Sequence, residues 1–523
     1  MVENMTRNST RRTNEAKVPT PSKPITTAAE LKEQVARAKL VQSAWEVISI
    51  DTRIRHIRRI RDFLVENADR IIEVICQENG KVRIDALAGE ILPAAMAISY
   101  YMKKAAKFLK PRKLASGNIL TFNKRSLIER VPFGVVGIIA PWNYPFVIPF
   151  SEVITALLAG NAVILKTASV TSGVGRILDE CIQSADLPQD LFAHITMPGK
   201  MAGDALLESG VDKIFFTGSI ASGKYIMSKA AETLTPVVLE LGGNDPMIVC
   251  EDADLDRAVG GALWAGFSNT GQSCGGVERI YVHQKVYEPF LELLKEKVEK
   301  LRVGPYIDPN ADIGALTTQE QSAIVKRHID DALKNGAAIY AQSMCPPAED
   351  GNFLPATVLT EVNHNMLVMK DETFGPVVAV MPVMDYFEAI HLANDSYMGL
   401  TASIWTRSRH RARLIASRLK AGAVTVNDHL MSHGLAETPW GGFKQSGIGR
   451  THGEIGFNEM TQAQVIVYDI LPFVKKDLWW YPYSAILYDR VMMLLYLLYA
   501  KKWKKRIEAF FKVLKIVPRY FKK

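Results

Sequence analysis

Residues 135–166, VVGIIAPWNYPFVIPFSEVITALLAGNAVILK, carry two short apolar runs, VVGIIAP and NAVILK, each closed by a proline or a polar side chain. Runs of Val, Ile and Leu with no alternating polar positions have no face to offer water, so they read as strands buried on both sides, as in a parallel sheet. KIFFTG at 213–218 and PMIVC at 246–250 repeat the pattern further along. Helical stretches around residues 171–185, 201–209 and 220–234 separate these runs. Strand and helix in alternation predict a doubly wound α/β architecture.

Upstream, residues 27–110 place apolar and charged side chains at three- and four-residue spacing, as in LKEQVARAKLVQSAW and HIRRIRDFLVENADRIIEVI, which predicts amphipathic helices. The arginines from Arg53 to Arg61 fall on the solvated faces of one of them in this reading. Residues 1–24 are polar, with Pro and Thr and no apolar core, so they predict a disordered arm and not a secretory signal. The segment ILTFNKRSLIERV at 119–131 alternates and predicts strand.

With 523 residues, 48% hydrophobic and 23% charged, the chain can build a large core. Its formal charge of +8 is concentrated at one end, where ten Lys and Arg stand against the single acid Glu508 between residues 501 and 523. The body is nearly neutral, which argues against nucleic-acid binding. The five cysteines lie far apart with no CxxC pair, so neither disulfides nor a metal site is expected, and a reducing, cytoplasmic compartment is.

Two glycine-rich turns carry reactive groups. LELGGNDP at 239–246 presents Glu240 and GQSCGGVER at 271–279 presents Cys274. Glycine lets backbone approach closely, so both side chains can face a tight cavity. By itself a cysteine beside glycine is more often a small buried apolar side chain. GSIASGKY at 218–225 approaches a phosphate-binding loop, but Tyr225 stands where a small hydroxyl has to hold magnesium.

PWNYPF at 141–146, GNAVILKTAS at 160–169, FFTGSIASG at 215–223, LELGG, GQSC, ETFGPV at 372–377 and PWGGFKQSGIGR at 439–450 resemble the aldehyde dehydrogenase superfamily in identity, order and spacing. The resemblance spans roughly residues 25–470. It implies that Cys274 attacks an aldehyde, that Asn143 and the Cys274 backbone N–H meet the oxyanion, and that Glu240 is the base for thioester hydrolysis. It also implies NAD or NADP as cofactor, held by Trp142, Lys166, Ser169, Gly218, Ser219, Gly223, Glu372 and Phe374.

Two positions depart from the family. Ser169 stands where a ribose-binding Glu is often found, and without that carboxylate a 2′-phosphate is tolerated. Glu152 stands where many members have Lys, which puts a proton-relay role there in doubt; Asn244 also replaces a frequent Lys, without a clear consequence. Two rival readings stay open: the CoA-acylating branch of the same superfamily, and an inactive membrane-associated scaffold.

The implied architecture is a Rossmann-like dinucleotide-binding domain (25–111 and 132–241), an α/β catalytic domain (242–457) and a small β oligomerisation element (112–131 and 458–472). Projecting strands need partners, so a homodimer or homotetramer is expected.

Residues 473–523 form a basic amphipathic tail. Its longest apolar run, Val491–Ala500, is ten residues, about half of what a membrane-spanning helix needs. Trp503, Ile507, Phe510, Leu514 and Val517 share a helical face, and Lys504, Lys505, Glu508, Lys512 and Lys515 fall on others. This predicts a helix lying on a membrane surface, or one packed on a partner subunit. The tail resembles the extension of fatty aldehyde dehydrogenases, which implies a medium- or long-chain aldehyde; succinate semialdehyde, an aromatic aldehyde and a pyrroline carboxylate stay open.

Overall fold

The computed structural model describes residues 26–118, 121–346 and 352–514. The arm expected at 1–24 and the tail residues Lys515 and Val517 lie outside them. In chain order the strands are β1 (Arg112–Leu114), β2 (Lys124–Pro132), β3 (Val135–Ile139), β4 (Ala162–Lys166), β5 (Phe192–Ile195), β6 (Lys213–Thr217), β7 (Val237–Glu240) and β8 (Asp245–Val249). There follow β9 (Val277–His283), β10 (Ala338–Gln342), β11 (Thr357–Thr360), β12 (Val377–Val383), β13 (Thr401–Trp405), β14 (Ala423–Val426), β15 (Gly447–Ile448) and β16 (Thr461–Asp469).

One sheet has the order β15-β7-β6-β3-β4-β5. Its five longer strands run parallel, with β15 antiparallel on β7. Every residue of β3 and β4 is buried, as uninterrupted apolar runs require. The chain winds outward from β3 to β5, then returns to lay β6 on the other side of β3. The order therefore reverses between β3 and β6, and a crevice opens beyond their carboxyl ends. A second sheet, β10-β11-β12-β9-β8-β13-β14, is parallel except for β10. Both sheets belong to one compact unit, Met1–Phe108 with Pro132–Gln462.

Helix Ala28–Glu46 starts at a capping box between Thr27 and Glu30 and anchors through Trp45, whose indole N–H donates to the Leu157 carbonyl at 2.9 Å. The next helix, Ile50–Glu66, corrects one expectation. Arg55, Arg58 and Arg59 are exposed, but Arg53 is buried. Its guanidinium donates to the carbonyls of Leu158 (2.7 Å), Ile48 (3.2 Å) and Glu46 (3.3 Å). It thus satisfies carbonyls left open where two helices end, a task periodicity cannot reveal.

The second unit comprises Leu109–Val131 and Ala463–Lys523. Strands β1, β2 and β16 form its sheet, with Lys124 bridging Asp469 (2.6 Å) and Asp477 (2.7 Å). Beyond its first residue β16 is exposed along its whole length, including Val465, Ile466, Val467 and Tyr468. Helices Ala485–Tyr499 and Trp503–Val513 share a small core of Leu478, Leu487 and Leu494, with Val513 against it. They leave Trp479, Trp480, Tyr488, Trp503, Ile507, Phe510, Phe511 and Leu514 exposed. No described helix is long and apolar enough to cross a membrane.

Candidate active site

Cys274 sits between helix Leu255–Phe267 and β9, on a turn with unusual backbone geometry. Asn269 (φ 52°), Thr270 (φ 58°) and Gly271 (φ 70°) are successively left-handed. At Gly271 a Cβ would collide with the Gly375 carbonyl, so only glycine fits. The strain at Asn269 and Thr270 is held by bonds from outside the turn. Asp85 accepts from the Asn269 N–H at 2.8 Å, the Gln272 side chain accepts from the Thr317 N–H at 2.9 Å, and the Asn143 amide donates to the Gln272 carbonyl at 3.1 Å.

Asn143 follows β3 and is itself clamped. Its carbonyl accepts from Lys81 Nζ (2.9 Å), Asn269 Nδ2 (2.9 Å) and Asn79 Nδ2 (3.4 Å). Lys81 pairs with Glu90 at 2.7 Å, both side chains fully out of solvent. The other Glu90 oxygen accepts from the Phe146 (2.7 Å) and Val147 (3.1 Å) amides at the start of helix Val147–Ala159. One buried ion pair therefore grips both ends of the Asn143–Phe146 turn. Neither Lys81 nor Glu90 figured among the expected site residues, since in sequence they look like any charged pair on a helix face. Glu278 was also missed. It lies in a strand whose every residue is buried, and accepts from the Thr373 (2.9 Å) and Phe374 (2.8 Å) amides, fixing the ETFGPV loop. A Glu-Arg pair, Glu278 and Arg279, at the start of a strand that is buried throughout was the available signal.

Glu240 closes β7 and is buried. Burial, and after it the like charge of Glu152, pushes its carboxyl well above the usual carboxylate range, against the pull of Arg450 and the Thr451 backbone. Burial also raises the Cys274 thiol far above its ordinary value, with Glu372, Asp245 and Glu240 adding to the effect. Burial thus works against the charged form of each group.

Cys274 forms part of the wall of two cavities. One, of about 290 Å³, opens at the crevice beyond β3, β6 and β7, and brings together Trp142, Asn143, Gly218, Ser219, Glu240, Glu372 and Phe374. Ser219 caps helix Ile220–Thr233, accepting from the Ser222 N–H at 3.3 Å, so free amides and the positive helix end lie beside this cleft. Glu372 accepts from the Gly243 N–H at 3.1 Å, and Phe374 (φ 53°) meets Trp142 edge-on at 5.4 Å. Lys166, Ser169 and Gly223 do not line this cavity. Lys166 is buried at the end of β4, Ser169 is exposed just beyond it, and Gly223 lets helix Ile220–Thr233 pack on Leu241. These features suit a pyrophosphate at the helix end and a ring near Cys274.

The other cavity, of about 280 Å³, is apolar, with Leu92, Pro93, Met96, Ile148, Trp264 and Leu430 among its walls. Asp85, Tyr144, Ser268, Asn269, Ser273 and His433 are the more polar part of its lining, and no Lys or Arg contributes. A nucleophile shared by a crevice at a helix end and an apolar hole can attack a carbonyl carbon that enters from either side.

Comparison with known proteins decides the family. Residues 8–466 match the model of the aldehyde dehydrogenase family. The chain belongs to the aldehyde dehydrogenase family. It is 39% identical over 466 residues to 4,4'-diapolycopene aldehyde oxidase of Methylomonas, covering 89% of this chain and 86% of that one. It is 38% identical to a putative succinate-semialdehyde dehydrogenase [NADP(+)] of Mycolicibacterium smegmatis, covering 85% of each. Among solved structures, an aldehyde dehydrogenase of Bacillus cereus in complex with NAD+ superposes with a TM-score of 0.80 at 31% identity, covering 86% of this chain and 90% of that one. An E. coli NADP dependent enzyme gives 0.81 at 32% identity, covering 86% and 92%. This aldehyde dehydrogenase is therefore an NAD(P)-dependent enzyme that oxidises an aldehyde, on a mixed α/β fold of Rossmann-like and catalytic parts.

Proposed function

We propose that this enzyme oxidises a long, apolar aldehyde to its carboxylic acid through a thioester on Cys274, at a membrane surface. The observation that carries the reading is the shared position of Cys274, with the apolar cavity on one side and the cleft that holds Ser219, Glu240 and Glu372 on the other. The Cys274 sulfur bonds to the aldehyde carbon as the thiol proton passes to the Glu240 carboxylate, which sheds it to solvent before hydrolysis. Asn143 spends one amide hydrogen on Gln272, and its second is free for the developing oxyanion, alongside the Cys274 N–H. A bound nicotinamide nucleotide supplies the hydride acceptor. Glu240 then draws a proton from the water that cleaves the thioester. Trp142, Gly218, Ser219, Glu372 and Phe374 hold the nucleotide, with Lys166, Ser169 and Gly223 serving its adenosine end. Ser169 brings no negative charge against a 2′-phosphate, so NADP is accepted along with NAD.

The cavity discriminates among aldehydes by charge. A carboxylate-bearing substrate such as succinate semialdehyde needs a cation, whereas this lining supplies none and adds Asp85. An alkyl or polyene chain gains about 25 cal/mol for each Å² it buries there. The Methylomonas relative is named for such an aldehyde.

The tail supports the membrane assignment. Exposed aromatic and aliphatic side chains accompany Lys501, Lys502, Lys504, Lys505, Arg506 and Lys512, and each basic residue near an anionic surface contributes about 1 kcal/mol. The exposed β16 edge supports assembly into a homodimer or homotetramer. All five cysteines are free, which suits the cytoplasmic face.

The test is a chain-length series of aldehydes with both nucleotides, with and without CoA, reading nucleotide reduction and acid product. We expect kcat/KM to climb with chain length and succinate semialdehyde to be poor. Faster oxidation of succinate semialdehyde than of decanal overturns the apolar reading, and an acyl-CoA product overturns hydrolysis.

A further inference from the structure

The apolar cavity that Cys274 borders meets the surface at a rim as apolar as its interior; the inference drawn from it rests on the long-chain reading above. Leu92, Met96, Trp264 and Met431 line the cavity, and Leu87 precedes two further lining residues, Ala88 and Gly89. Each of these five large side chains is between 42% and 53% exposed. They come from the turn Leu87–Ile91, helix Leu92–Phe108, helix Leu255–Phe267 and the turn Met431–Gly434, which converge on the cavity. Single exposed apolar side chains are ordinary, but five gathered around one hole mark a surface that something covers. The cavity is also too short for a long chain. An apolar hole of about 150 Å³ takes one benzene, so the roughly 280 Å³ here takes about a dozen carbons, and the rest of a longer aldehyde emerges across the rim.

Helix Leu92–Phe108 continues the rim into charge. Leu92, Met96, Ser99, Lys103 and Lys107 follow one another at four, three, four and four residues, so they form one stripe along the helix. At about 1.5 Å per residue the stripe runs about 22 Å from Leu92 to Lys107. Lys103, Lys104 and Lys107 are exposed, the helix carries no acid, and none of the three has an ion-pair partner among the described residues. Two exposed acids, Glu437 and Glu454, act on Tyr100 beside the stripe without pairing with a lysine. One face thus joins apolar side chains to unpaired ammonium groups on long aliphatic stems, the combination that binds the boundary between acyl chains and anionic headgroups.

We propose that this face docks on an anionic lipid bilayer, so that the aldehyde passes from the acyl layer into the cavity without crossing water. Leu87, Leu92, Met96, Trp264 and Met431 enter the lipid, and Lys103 and Lys107 meet its phosphates. A bilayer suits the opening better than a protein does. A protein seated on the rim would seal the way to Cys274, whereas a lipid layer holds the substrate dissolved at the mouth. The chain then moves from one apolar medium to another and at no point presents its surface to water. The docking face lies within the first compact unit and is separate from the basic tail, which belongs to the second.

The experiment uses the full chain and octadecanal presented in neutral detergent micelles, in phosphatidylcholine vesicles, and in vesicles that also contain phosphatidylserine, with aqueous hexanal as the control for folding and chemistry. In the double variant Lys103→Glu with Lys107→Glu we expect kcat/KM from the anionic vesicles to fall at least tenfold, with micellar octadecanal and hexanal within twofold of wild type. Leu87→Glu, which charges the rim outside the cavity wall, should lower the rate from both kinds of vesicle and leave hexanal within twofold. Should the double variant lose hexanal oxidation, Lys103→Gln with Lys107→Gln, which only removes charge, has to show a smaller loss from anionic vesicles alone. Wild-type rates from anionic vesicles in the lysine and Leu87 variants overturn the docking. An equal loss from micelles and vesicles in the lysine variant also overturns it, because the lysines would then act on the aldehyde and not on headgroups. A wild-type enzyme that oxidises hexanal but not micellar octadecanal overturns the long-chain reading itself, which is a different result from a failure of docking.

Discussion

Replacing Lys81 by Met tests how the Asn143 turn is held. The substitution keeps the aliphatic stem and removes the charge, leaving Glu90 fully buried with its two amide donors, Phe146 and Val147, and no cation. Removing one partner of a buried pair costs about 3–5 kcal/mol because the other charge is stranded. The two amides still solvate Glu90, so the lower end, about 3 kcal/mol, is expected. The Asn143 carbonyl loses its Lys81 donor at 2.9 Å and keeps Asn269 and Asn79, so the turn loosens without collapsing. A displacement near 1 Å at a catalytic group costs about 100-fold in rate. Urea unfolding followed by tryptophan fluorescence measures the first effect, and single-turnover nucleotide reduction at saturating cofactor measures the second. The double variant Lys81→Met with Glu90→Gln recovers part of the stability, because the buried charge is gone, but not the rate. A stability loss under about 1 kcal/mol together with an unchanged single-turnover rate would refute the claim that this pair holds Asn143 in place.

Further outcomes follow from the site. Glu240→Gln should accumulate acyl-enzyme on Cys274, visible as an added acyl mass on the intact protein; turnover equal to wild type removes Glu240 as base. Alkylation of Cys274 by iodoacetamide should rise with pH through the alkaline range, since burial raises the thiol, and a bound oxidised nicotinamide, being cationic, should speed it at pH 7. A rate flat in pH would mean that the thiol is already ionised. Gly271→Ala should cost several kcal/mol or misplace the Cys274 turn, because the new methyl meets the Gly375 carbonyl at a left-handed position; a wild-type melting temperature and rate would contradict the geometry.

Much of this protein could be read from local order alone. The buried strands around residues 135–166 and 213–218, the helices between them and the glycine-rich turns at Glu240 and Cys274 depend on neighbours within a few positions, and they stand where periodicity put them. The tertiary structure decided what distant segments do to one another. It turned Arg53 inward to serve the ends of two helices, although its helical face reads as solvated. It buried Lys81 against Glu90 beneath a turn some sixty residues away, and placed Glu152 beside Glu240 over a cavity it shares with His452, where burial shifts both carboxyls. It put Cys274 on the wall of two cavities, one apolar and one carrying Ser219, Glu240 and Glu372, so that a single sulfur borders both. The physical reason is that a side chain's desolvation and its long-range partners are set by packing, whereas its tendency to lie on a strand or a helix is set by the chain beside it.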